Sequence, residues 1–97
     1  MEYHPGEYFS FDLNLNADAG YQWNYSINDT NVAKIINTNY RPYSGNWNQV
    51  GGLTIETFYC CTYRPGICVF TLREQRPWLP NVPAIDSLCV LVVVNYL

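Results

Sequence analysis

The chain has 97 residues, which fits one domain and leaves no room for a core that also encloses a large cofactor. Hydrophobic residues make up 48% and charged residues 13%, a balance that excludes a disordered chain. The net charge is −3 and the few Lys and Arg are scattered, so no basic stripe offers itself to nucleic acid or to an anionic membrane.

The N-terminus, Met1-Glu2-Tyr3-His4-Pro5-Gly6, has neither a basic region nor an apolar run. No signal peptide is visible there, and residues 1–7 read as a loosely ordered lead-in. The cytosol is the expected location, or an endolysosomal or vesicular one if a leader has been removed. Phe9 to Leu15 then alternates, with Phe9, Phe11, Leu13 and Leu15 on one face, and Asn16-Ala17-Asp18-Ala19-Gly20 reads as a turn. Tyr21 to Ile27 alternates again, bringing Tyr21, Trp23, Tyr25 and Ile27 together, and Asn28–Asn31 turns the chain. A third strand spans Val32 to Asn37. Residues 38–52 are rich in Asn, Gly, Pro and Tyr and read as one long loop, of a length that in a small domain is usually functional or disordered.

Leu53 to Thr62 is a long strand, and Arg64-Pro65-Gly66 reads as a tight hairpin connection to Ile67–Glu74. Residues 75–87, with Pro77, Pro80 and Pro83, form another loop. Leu88 to Tyr96 reads as a strand buried on both faces, too short to span a bilayer. No segment has a helical period. The pattern predicts a single all-β domain over 1–97, an immunoglobulin-like antiparallel sandwich of about seven to eight strands. The Cys…Trp…Cys spacing of antibody domains is absent.

Catalytic chemistry finds little support. His4 is the only histidine, and Asp12, Asp18, Asp29, Glu56, Glu74 and Asp86 show no paired spacing. Cys60, Cys61, Cys68 and Cys89 contain no CxxC pair, and Cys60 and Cys61 point to opposite faces of a strand. Reduced thiols are expected, with no metal, no cofactor and no enzymatic activity.

The functional signal lies in three loops. The first is 16–21. The second is Gly45-Asn46-Trp47-Asn48-Gln49-Val50-Gly51-Gly52, and the third is Arg76-Pro77-Trp78. Two carry a Trp, and two carry glycines that let bare backbone approach a partner. In a sandwich, loops from alternating connections gather at one end. Trp78, just past a strand end, reads as an anchor for another protein's pocket, with a lid over this protein's own core as the competing structural role.

In this order and at these separations, NADAGYQW, VGGLTIETFYC and RPW resemble the chagasin-type inhibitors of papain-like cysteine peptidases, over roughly residues 8–95. Of that family's first-loop pattern, Asn-Pro-Thr-Thr-Gly-aromatic, the chain keeps Asn16, Gly20 and Tyr21, with Trp23 beyond. It carries Ala17, Asp18 and Ala19 in place of the Pro and the two Thr. Val50, Gly51 and Gly52 match the second motif, with Gln49 at its first glycine. Arg76, Pro77 and Trp78 match outright, and Glu74 replaces an aromatic.

The resemblance implies a reversible, tight-binding inhibitor whose three loops occlude the cleft of a cathepsin-type peptidase, and a monomer when free. Its binding residues would be Asn16, Ala17, Asp18, Ala19, Gly20, Tyr21, Val50, Gly51, Gly52, Arg76, Pro77 and Trp78. Loss of the first-loop proline would raise the ordering cost of binding by about 0.5–1 kcal/mol. Asp18 adds an anionic acceptor suited to a catalytic imidazolium, a role that unchanged inhibition by Asp18→Asn would remove. Read without the resemblance, the exposed aromatics also fit an immunoglobulin-like module for carbohydrate or for another protein.

Overall fold

The alternating runs become strands. The computed structural model describes residues 2–42, 54–79 and 81–96. They form β1 (Glu2–Tyr3), β2 (Tyr8–Leu15), β3 (Gln22–Ile27), β4 (Ala33–Pro42), β5 (Thr54–Thr62), β6 (Gly66–Gln75) and β7 (Asp86–Val94). One 3-10 turn, Ala17–Ala19, joins β2 to β3, and the described residues contain no α-helix. The strands make two sheets, ordered β1-β7-β6-β3 and β2-β5-β4. All pairings are antiparallel except β1 with β7, which is parallel. This is the immunoglobulin-like β-sandwich that the alternation predicts.

The core is the layer between the inner faces. Phe58, Cys60 and Thr62 of β5 face Cys68, Phe70 and Leu72 of β6 and Val92 of β7, all fully buried. Stacked rings add specific geometry: Tyr3 on Phe9 at 4.4 Å, and Phe11 on Phe58 at 5.1 Å between centroids. Burying one such side chain contributes about 1.5–3 kcal/mol. All four cysteines are free thiols, and only Cys89 is exposed. Burial pushes the Cys60 thiol up to about 12, so it remains a protonated core residue rather than a nucleophile.

Four sequence expectations are corrected. Residues 2–7 are tied into the fold: Glu2 and Tyr3 pair with Val93 and Val94, and the Gly6 amide donates to Thr62 O at 2.9 Å. Strand β4 continues to Pro42 instead of ending at Asn37, through a bulge between Ile35 and Asn37 that breaks the alternation. Residues 63–65 are not a hairpin loop. Strand β5 already has β2 and β4 on its two edges, so the chain turns a corner and β6 joins the other sheet. Finally, β7 is buried on one face only. Val92 and Val94 point inward, while Leu91 is 52% exposed on the outer face, in cross-strand register with Val69.

The connections sort into two poles. One pole gathers residues 4–7, 28–32 and 63–65. At the other, Leu15, Thr54 and Pro42 form one rung of the three-stranded sheet. Gln22 pairs with Gln75 there in the four-stranded sheet, and Glu74 with Asp86. The first loop, the segment between Pro42 and Thr54, and the β6–β7 connection therefore all leave the sheets at this second pole.

Candidate functional site

Loop 16–21 is built from its own backbone first. Ala19 N–H donates to Asn16 O at 3.3 Å, Gly20 N–H to Ala17 O at 2.9 Å and Tyr21 N–H to Asn16 O at 3.3 Å. Gly20 closes the turn at φ 84°, ψ 12°, a left-handed conformation that glycine adopts without strain. It is not a hairpin glycine, because the chain passes here from one sheet to the other. Ala17, Asp18 and Ala19 are exposed at the tip.

The β6–β7 connection leans on this turn. Leu79 N–H donates to Arg76 O at 3.0 Å, closing a turn around Pro77 and Trp78. The Arg76 guanidinium stacks over the Tyr21 ring at 4.6 Å, and its Nε–H donates to Ala19 O at 3.0 Å. The six-membered ring of Trp78 stands where a side chain at position 20 would be, so only glycine allows the two loops to close on each other. Trp78 remains 61% exposed and covers loop backbone, not the core, which removes the core-lid role.

Two side chains missed as site residues fix the root of the first loop. Trp23, 8% exposed, donates from Nε1 to Asn14 O at 2.9 Å. Glu74, 3% exposed, accepts at Oε2 from Asn16 N–H at 2.8 Å and from Asn16 Nδ2 at 3.2 Å. Trp23 and Glu74 are a cross-strand pair, so one rung of the four-stranded sheet grips the end of β2 in the other sheet. The available signal was the inward alternation Cys68, Phe70, Leu72, Glu74. A carboxylate in that series must find a donor inside.

Of the expected binding residues, Asn16, Ala17, Asp18, Ala19, Gly20, Tyr21, Arg76, Pro77 and Trp78 therefore form one contiguous surface. Val50, Gly51 and Gly52, with Gln49 and Trp47, lie outside the described residues, between two strand ends that sit beside Leu15. Below that rung, Glu56 is buried between Leu13 and Tyr40. Burial raises its carboxyl pKa, and a hydrogen bond from the Tyr40 side chain offsets part of the rise. Its Oε1 has no partner among the described residues.

Among the described residues no catalytic pair accompanies this surface. His4 lies at the other pole, with Nδ1 3.3 Å from Asn95 O. Among the described residues no group of three or more His, Cys, Asp and Glu is placed to hold a metal. The surface offers exposed short-side-chain backbone, a rigid indole and a clamped arginine, which suits binding rather than bond-making.

Comparison with known proteins gives a family and a fold. The model of the chagasin family of peptidase inhibitors, I42, matches residues 2–92. Among solved structures, the cysteine protease inhibitor EhICP2 from Entamoeba histolytica superposes with a TM-score of 0.80 at 21% identity, covering 97% of this chain and 86% of that one. At that identity the likeness shows the fold. No curated protein sequence matches the chain.

Proposed function

The chain belongs to the chagasin family of peptidase inhibitors, proteins that inhibit and are not themselves enzymes, and from that premise we propose that it blocks papain-like cysteine peptidases by seating the Asn16–Tyr21 and Arg76–Trp78 loops in the active-site cleft. The observation that carries this reading is the Trp78–Gly20 contact, which joins two family motifs 58 positions apart into one exposed wedge. The Gly51–Gly52 segment, whose flanking strands end beside the same wedge, is assigned the third contact.

The physics of inhibition follows from the shapes. A peptidase cleft is narrow at its nucleophile, and Ala17-Asp18-Ala19 presents few side-chain atoms there. The 3-10 turn holds its peptide groups in a closed conformation, unlike the extended one a protease cleaves. Trp78 is held in place before binding by Gly20 and by the Arg76 turn, so little side-chain entropy is lost on association. An aromatic anchor of this kind carries about 2 kcal/mol or more on truncation.

Titration of a papain-like enzyme tests the proposal. One equivalent of the protein should abolish activity, and the inhibitor should be recovered uncut. Full peptidase activity in excess protein, or steady cleavage at residues 16–21, would reject it.

A further inference from the structure

By the resemblance set out above, Ala17 stands where the family's first-loop pattern has a proline and Glu74 where it has an aromatic. These two departures meet in space. The Glu74 carboxylate receives both the backbone and side-chain N–H groups of Asn16, the residue immediately before Ala17. We infer that Glu74 is the positioning residue of the first loop, an inter-sheet tether that replaces the missing proline in holding residues 16–21 ready for the peptidase. The inference rests on the inhibitor reading, since it names what keeps that binding loop in shape.

The physical case has three parts. A buried carboxylate stays only where donors satisfy it, and charge-assisted bonds of this kind are stronger than neutral ones. The tether acts at the point where the chain leaves β2. Asn16 O is also the acceptor for Ala19 and Tyr21, so fixing Asn16 fixes the start of the turn. The turn's far side is already held by Arg76 on Ala19 and by Trp78 on Gly20. With Glu74 removed, Asn16 would lose its tether and the upstream side would be held only as far as the Trp23 bond to Asn14 and the pairing of Leu15, so part of the ordering would be deferred to the moment of binding. Proline acts within the backbone by restricting the unbound loop. Glu74 reaches the same end from a neighbouring sheet.

The test compares Glu74→Met, which fills the space without an acceptor, with Glu74→Gln, which keeps one acceptor oxygen for Asn16. Two readouts are taken: inhibition of papain, and amide hydrogen exchange at Ala19 and Gly20 in the free protein, neither of which touches Glu74. Glu74→Met should exchange faster at both amides and inhibit roughly tenfold or more weakly, while Glu74→Gln restores parent behaviour in both. Should Glu74→Met not fold, Glu74→Ala, which leaves both Asn16 N–H groups without the carboxylate, replaces it in the exchange measurement and should accelerate the same two amides. Unchanged exchange in the tether-deficient variant overturns the inference, as does faster exchange with undiminished inhibition. If the unmodified protein itself fails to inhibit papain, the inhibitor reading falls. The exchange readout then decides on its own whether Glu74 orders the loop.

Discussion

The two poles of the sandwich put their hydrogen bonds to different use. At the pole of residues 4–7, 28–32 and 63–65, the bonds tie the connections to strand ends: Thr62 N–H donates to Glu7 O at 3.0 Å, and Tyr63 N–H to Val32 O at 2.8 Å. Thr62 Oγ1 donates to His4 O at 2.8 Å, and Asn28 Oδ1 accepts from Val69 N–H at 2.8 Å. At the opposite pole, side chains reach across to loops: Glu74 to Asn16, Trp23 to Asn14, Arg76 to Ala19, and Trp78 over Gly20. The first pole closes the fold. The second fixes loops while leaving their tips exposed, an arrangement a recognition surface requires.

The contrast predicts that damage to one pole costs stability and damage to the other costs binding. The largest effect is expected from Gly66→Ala. Gly66 has φ 153°, and a Cβ there would lie 2.8 Å from Val32 Cγ2. Strain plus overpacking should cost about 2–4 kcal/mol, lowering the melting temperature by on the order of 10 °C. The fraction that remains folded should inhibit as before. Trp78→Ala should do the reverse, weakening inhibition by roughly 30-fold, or about 2 kcal/mol, with the melting temperature nearly unchanged because the ring is mostly exposed. A large loss of stability would return Trp78 to a structural role.

Gly20→Ala sharpens the comparison because it touches both properties. The left-handed conformation would cost alanine about 1–2 kcal/mol, and the new methyl would displace the indole. Weaker inhibition together with a modest fall in melting temperature is expected. Wild-type inhibition would show that the closed arrangement of the loops is dispensable.

The smallest effect concerns Glu56. Its folded-state pKa lies above the ordinary 4.5 because burial opposes ionisation. Its contribution to stability is therefore present below the unfolded value and lost as pH rises through the folded one. Glu56→Gln should accordingly raise the melting temperature at pH 7, with the gain shrinking towards pH 4. A gain independent of pH would assign the effect to packing instead.

Much of this architecture was legible from alternation. Phe9, Phe11, Leu13 and Leu15, or Cys68, Phe70 and Leu72, can take only one orientation on a half-buried strand. What stayed hidden was set by partners distant in sequence. Residues 38–42 end in Pro and open the Asn-, Gly-, Pro- and Tyr-rich stretch 38–52, so they read as loop. They form strand because they lie on a sheet edge, where Asn37 and Asn39 side chains accept from the next residue's amide without breaking the ladder. The Leu88–Val94 run reads as doubly buried, yet Leu91 and Val69 cover one another on the outer face. At the candidate site, the motif residues were visible one by one. The Glu74–Asn16 bond, spanning 58 positions, was not, because no local pattern encodes it.

The most direct test of the account is an amide-exchange footprint of the protein with and without a papain-like peptidase. Protection confined to residues 16–21 and 76–79, together with the segment between Pro42 and Thr54, is the predicted result. Protection centred on residues 28–32 and 63–66, or on the outer sheet faces, would contradict it.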